Sequence, residues 1–147
     1  MRVKKVNRYY CDFCKKANCS GASISKHEKR CTLNPNRVCG MCKLMGSEQQ
    51  PTSKLLEVLP DPIKLLIKRD DGYGYEIQDW SAVEKELEIA LPKLRDLVEN
   101  CPACIMAALR QKNIPVPIAG GLGFNFTEEC KSVWADTFYY LSKSRKL

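Results

Sequence analysis

The stretch Cys11-Asp-Phe-Cys-Lys-Lys-Ala-Asn-Cys-Ser-Gly-Ala-Ser-Ile-Ser-Lys-His27-Glu-Lys-Arg-Cys31 decides how the rest of the chain is read. Two residues separate Cys11 from Cys14, which lets a tight turn aim both sulfurs at one ion. His27 and Cys31 are i and i+4, so on a helix they lie on one face, one turn apart. The twelve residues between Cys14 and His27 suffice for a strand return and the start of that helix. Three thiolates and an imidazole at these spacings predict a closed tetrahedral metal site, with Zn²⁺ as the default occupant. His27 is the only histidine in the chain, and this set commits it to metal.

Working outward, the 147 residues contain nine cysteines. An odd count argues against a disulfide framework. Two further Cys-x-x-Cys pairs come after the first, Cys39 with Cys42 and Cys101 with Cys104. Each pair alone is half a site. Together they make a four-thiolate set that a second Zn²⁺ would close, and the long separation is no obstacle because loop-closure entropy grows slowly with length. Such a site would clamp the N-terminal module to the helical part of the chain. Pairing of Cys11 and Cys14 with Cys39 and Cys42 is an alternative. So is an iron–sulfur cluster, although the spacings match neither common ferredoxin pattern. Cys101-Pro-Ala-Cys104 also has the form of a redox pair at a helix start, but a thioredoxin-like unit needs a strand before it, and here a helix is expected. Cys19 and Cys130 are left over.

The first set resembles the ββα zinc finger, in the variant of the two-cysteine, two-histidine family whose last ligand is cysteine. The resemblance covers residues 9–31. It extends to Tyr9, two residues before Cys11, and Ile24, three before His27, where the family carries apolar residues. Asn18 stands where the family's core aromatic sits, so either Cys19 shifts inward in its place or the hairpin is irregular. The resemblance implies a zinc-dependent fold and nucleic-acid binding, DNA more than RNA. The family's base-contacting helix positions map onto Ser20, Ser23 and Lys26, none of which is a bidentate base reader. Phosphate contacts should therefore dominate, from Lys4, Lys5, Arg8, Lys15, Lys16, Lys26, Lys29 and Arg30. The stretch from His27 to Cys42, with Asn34-Pro-Asn-Arg37 between the ligand pairs, also resembles uncharacterised zinc-finger proteins of bacteria and their phages, which implies no activity.

Charge agrees in direction. Residues 1–43 hold eleven Lys or Arg and two acidic residues, a net of +9, while residues 44–147 hold thirteen basic and fifteen acidic residues, a net of −2. The N-terminal third is thus suited to a polyanion, although lysines also keep a small module soluble. We divide the chain into a basic zinc finger, 1–37, and a helical domain, 38–147, with a polar linker at about 46–53.

In the second part the pattern is helical. Lys54–Leu59 is a short apolar turn stopped by Pro60. Asp61-Pro62 starts a helix expected to reach Arg69, followed by a loop or hairpin tip over Asp70–Tyr75. Ser81 and Glu84 form a capping-box pattern before Val83, Leu87, Ala90, Leu91, Leu94 and Leu97, with a kink or break near Ala90 because of Pro92. A helix runs from about Ala103 to Lys112, and 114–123 reads as an extended, glycine-ended connector. A last helix, capped by Thr127, carries Phe126, Cys130, Val133, Trp134, Thr137, Phe138 and Leu141 on one face, and Trp134, Phe138 and Tyr139 are expected in the core. Lys143, Arg145 and Lys146 form a basic tail.

The expected fold is mainly α, with a small ββα finger and a helical domain clamped by a four-cysteine zinc site. No Ser-His-Asp or Cys-His catalytic pairing is supported, and closed zinc sites leave no position for water, so a non-enzymatic protein is expected. The basic start lacks an apolar region after it, and no apolar run spans a bilayer. The expectation is an intracellular, cytoplasmic protein without membrane or small-molecule partners. The competing reading is a zinc-stabilised adaptor that docks on a protein, such as a phage structural or accessory component. Tyr73, Tyr75, Trp80 and the 114–126 connector are its candidate contacts.

Overall fold

In the computed structural model, which describes residues 1–144 and the side chains through residue 139, the first ligand set shapes a small hairpin and helix. Strands β1 (Tyr9–Tyr10) and β2 (Ala17–Asn18) pair antiparallel, Tyr9 opposite Asn18 and Tyr10 opposite Ala17. Helix α1 (Gly21–Glu28) comes next, capped by Ser20, whose Oγ accepts from the Ser23 amide at 3.3 Å. Asn18 takes no core position. Its Oδ1 accepts from the Ser20 amide at 2.9 Å and so fixes the entry to the helix. Cys19 is exposed, contrary to the expected inward shift. The module's core is only Cys11, Ile24 and Cys31, with Cys14 and Leu33 against them.

The remaining elements build one larger core. Helices α2 (Gly40–Met45), α3 (Thr52–Val58) and α4 (Pro62–Leu65) precede a hairpin of β3 (Ile67–Asp70) and β4 (Glu76–Asp79). Helices α5 (Ser81–Leu97), α6 (Pro102–Gln111), α7 (Val116–Gly121) and α8 (Phe126–Ser144) complete it. Leu55, Leu59, Val83, Leu87, Leu94, Ile105 and Leu109 form the interior together with Cys39, Cys42, Cys101 and Cys104. Arg95 joins α5 to α8 by a bidentate pair with Glu129, at 2.7 and 2.9 Å, and lies over the Phe124 ring.

Several local expectations are corrected. The helix begun by Asp61, whose carboxylate accepts from the Ile63 amide, stops at Leu65, because Ile67–Asp70 pairs with Glu76–Asp79 instead. The Ser81–Glu84 box does not form: Trp80 holds the cap position, and Asp79 Oδ1 receives the Ser81 amide at 3.0 Å. Helix α5 runs unbroken through Pro92. Glu88, whose carbonyl loses its amide partner there, is exposed, so water can satisfy it. The 114–123 connector is not extended. Pro115 and Pro117 sit at the start of α7, where a missing amide costs nothing, and the segment ends at Gly123 with φ of 90°. Helix α8 is capped by Asn125, whose Oδ1 accepts from the Glu128 amide at 3.1 Å, and not by Thr127.

The aromatics of α8 are also corrected. Trp134, Phe138 and Tyr139 are exposed, with Trp134 and Phe138 stacked at 6.0 Å between ring centroids. Cys130 is half-buried. The side chains of Leu141 and Lys143, and all of Arg145 and Lys146, lie outside the described residues. Among the described residues, no helix is long and apolar enough to cross a membrane.

Candidate metal centres

The eight ligand candidates assemble as two separate sets of four. In each set the donor atoms of all four residues lie within 4.8 Å of one another. The turn that carries Cys11 and Cys14 is closed by two backbone bonds, Cys11 N–H to Lys16 O at 2.8 Å and Lys15 N–H to Cys11 O at 2.9 Å. This closure puts Lys15 at φ 59°, the left-handed region that a knuckle of this kind requires. Cys14 Sγ lies 3.1 Å from His27 Nε2.

The second set is built by two helix starts. Cys39 is the cap residue of α2 and Cys101 that of α6, so Cys42 and Cys104 fall at the third position of each first turn. Two intervening residues are the spacing that turns both sulfurs of a pair to one side of a helix end. Cys39 Sγ lies 3.7 Å from Cys101 Sγ, and Cys42 Sγ lies 3.4 Å from Cys104 Sγ. A Zn–S bond of 2.3 Å places tetrahedral sulfurs about 3.8 Å apart. The observed separations are near that edge and far beyond a disulfide bond, and all nine cysteines are free thiols. All four sulfurs are buried, so this set belongs to the main core.

The short loop between Cys31 and Cys39 fixes the two sets to each other. Asn34 is buried, and its Nδ2 donates to the Glu28 carbonyl at 2.7 Å. Gln111 Nε2, on α6, donates to the carbonyls of Thr32 and Asn34, and Arg110 donates to Thr32 Oγ1 at 2.7 Å. Two residues at this junction carry no sequence signal. Gln49, from the polar stretch after α2, receives the Cys39 amide at 2.6 Å and donates to the Arg37 carbonyl at 2.7 Å. Arg37 is only 7% exposed and points Nη1 at Cys104 Sγ, 3.6 Å away. Only its place two residues before Cys39 sets it apart from the other basic residues of the segment.

The thiols titrate unequally because they crowd one another. At Cys14, burial pushes the thiol up, but a backbone hydrogen bond at Lys16 and the neighbouring His27, Cys31 and Cys11 bring it down to about 6. In the second set, hydrogen bonds from Cys101 and Cys104 hold Cys39 far below the thiol range, with the Arg37 charge adding to them. Burial, then Cys104, pushes Cys42 up to about 12. Cys101 is raised by its hydrogen bonds with Cys104 and Cys39 and by burial. At Cys104 the bond with Cys101 lowers the thiol, but Cys39 and burial outweigh it. Cys42, Cys101 and Cys104 thus hold their protons more firmly than free thiols do. A metal ion must displace those protons, and the raised thiols keep them more firmly as pH falls. Affinity at this site should therefore drop on acidification, at least about a hundredfold between pH 8 and 6 if even one proton is displaced per ion. Chelator competition at the two pH values measures it, and a pH-independent affinity would exclude ligation by these thiols.

The eight basic side chains proposed for phosphate contact are all exposed. Lys4, Lys5 and Arg8 precede β1, Lys15 and Lys16 sit on the turn, Lys26 is on α1, and Lys29 and Arg30 lie just after it. Among the described residues none of the eight has an ion-pair partner. No protein-family model matches the chain, and no curated protein and no solved structure is found similar to it.

Proposed function

We propose that the chain is a non-enzymatic zinc protein whose N-terminal module, of the ββα finger type, binds nucleic acid through phosphate contacts. The observation that carries the zinc reading is the gathering of four donors within 4.8 Å, twice, each set without a carboxylate. One ion matches such a cage, whereas an iron–sulfur cluster spreads its cysteines over separate irons. Four protein donors fill a tetrahedral site and leave no corner for substrate, which favours a structural role for both ions. Elemental analysis should give two zinc ions per chain.

The nucleic-acid reading is supported by eight exposed cations on a module with a local net charge of +9. Ser20 is committed to capping α1, which further weakens base readout from the helix. Affinity should therefore track counterion release. Mobility shift across a salt series should show binding near 50 mM salt that falls by orders of magnitude toward 200 mM, since several phosphate contacts produce that slope. Absence of binding near 50 mM would end this reading.

A protein-docking role is the second reading. Its support is the hairpin tip, where Tyr73 and Tyr75 are 87% and 73% exposed, and the exposed Trp134–Phe138 pair. Trp80, Ile114, Ala119 and Phe124 do not belong to such a surface, since they pack into or against the main core.

A further inference from the structure

We propose that Tyr10 and Phe13 are stacking platforms for unpaired bases, so that the partner of the basic hairpin is single-stranded nucleic acid. The inference rests on the nucleic-acid reading above and narrows it.

The starting observation is two aromatic rings that the fold does not use. Tyr10 is 58% and Phe13 41% exposed, and neither belongs to the core of Cys11, Ile24, Cys31, Cys14 and Leu33. Tyr9, although 44% exposed, differs in having one face of its ring against the start of α1, so close that a Cβ on Gly21 would come within 3.3 Å of it. Packing thus accounts for Tyr9 and for the absence of a side chain at Gly21. It accounts for neither of the others. Tyr10 is paired opposite Ala17, a residue too small to cover a phenol ring.

Both rings stand on rigid backbone. Tyr10 is in the hairpin, and Phe13 lies between two ligand cysteines on a turn closed by hydrogen bonds at 2.8 and 2.9 Å. Stacking from such positions costs little ordering entropy. Their neighbours in sequence are Arg8, Lys15 and Lys16, all exposed, and the segment holds eleven basic against two acidic residues. One of those two, Glu28, accepts the Asp12 amide and so serves the fold. A basic track interleaved with aromatic faces fits a strand whose bases are free to stack, because every base has a π face. In a duplex the bases already stack on each other, so exposed rings gain a base face there only by first unstacking the duplex. The helix that would have to enter a groove is short, with serine at Ser20 and Ser23 where side chains could read base edges.

The test uses the full metal-loaded chain and labelled oligonucleotides of about 12 nucleotides, within the span of one binding module. Single-stranded DNA, single-stranded RNA and duplex DNA of one sequence are compared by fluorescence anisotropy at several salt concentrations. The intact chain should prefer the single strands, and either sugar supports the proposal. Tyr10→Ser and Phe13→Ser should each weaken single-strand binding about 5- to 100-fold, the range for losing one stacked base. Duplex binding and the salt slope should be unchanged by them, while Lys15→Gln should lower the slope on every nucleic acid. Unchanged single-strand affinity in both aromatic variants, or an equal loss on duplex, overturns the proposal while leaving phosphate binding intact. Failure of the intact chain to bind any of the three overturns the parent reading as well. Zinc content and helical circular dichroism of the variants establish that exposed positions were changed without loss of fold.

Discussion

Cys104→Ser should collapse most of the helical part of the molecule, not just empty one metal site. Cys104 is 1% exposed and shares the main core with Leu55, Leu87, Leu94 and Ile105. Its sulfur sits 3.4 Å from Cys42 and faces Arg37. Structural zinc contributes about 10–16 kcal/mol of apparent folding free energy in small modules. Net stability of a domain is only about 5–15 kcal/mol. Loss of the second ion is therefore comparable to the whole margin, and it leaves polar thiols and a buried guanidinium in an apolar interior. The expected result is one zinc per chain, loss of most helical ellipticity and loss of a cooperative thermal transition.

Cys14→Ser is the control that gives this result its meaning. Cys14 belongs to the small cluster with Cys11, Ile24, Cys31 and Leu33, which shares no member with the main core. Its loss should also leave one zinc, but with the helical signal largely kept. Equal collapse in both variants would contradict the separation of the two cores. A Cys104→Ser chain that stays fully helical with two zinc ions would show that Cys104 is not a ligand and that the second ion does not rest on these four thiols.

The parts of this architecture that were legible in the sequence are those where chemistry ties residues at short range. Ligand spacing read the knuckle at Cys11 and Cys14 and the grouping of His27 with Cys31, but not its backbone: α1 ends at Glu28, and Cys31 lies past the helix on a turn whose amide bonds the Glu28 carbonyl at 3.3 Å, so the two are not on one helix face. Asp61 followed by Pro62 announced a helix start, and the Asp70–Tyr75 stretch announced a loop or hairpin tip, whose Gly72 and Gly74 take φ of 81° and 87°. Where the reading failed, tertiary context decided. Helical periodicity showed that Trp134 and Phe138 share a face of α8, but periodicity cannot say how far neighbours cover that face: Phe126 and Cys130 are partly buried on it, while Trp134 and Phe138 stay exposed. Pro115 and Pro117 read as extended chain, yet proline at a helix start is as favourable as proline in a connector. Pro92 read as a kink or a break, and the break does not occur, because a helix continues where the freed carbonyl can meet water. Arg37 was one of eleven basic residues in the segment, and only folding shows that it alone is buried against the thiolates.

Arg37→Met should weaken zinc binding at the second site about 10- to 100-fold, the range for losing a partner that hydrogen-bonds a metal ligand. Four thiolates around one divalent ion carry a net charge of −2, and this set is buried on every side. A buried charge is tolerated only when it is paired. Arg37 supplies the pairing: it halves the net charge and donates to Cys104 from 3.6 Å. Gln49 holds its carbonyl, and its own amide donates to the Asn34 carbonyl at 3.2 Å, so the guanidinium is placed from both sides. Methionine fills comparable space without charge or donor, which isolates the electrostatic loss from a cavity. Arg37→Lys should fall between the two, because the charge remains while the planar fork is gone. Chelator competition reads the affinity. The first site, scored in the same chain as the ion that leaves independently, should keep its affinity within error. If Arg37→Met and the intact chain release the second ion equally, the guanidinium is filling space, and the thiolate charge must be compensated by the backbone amides of the two helix starts instead.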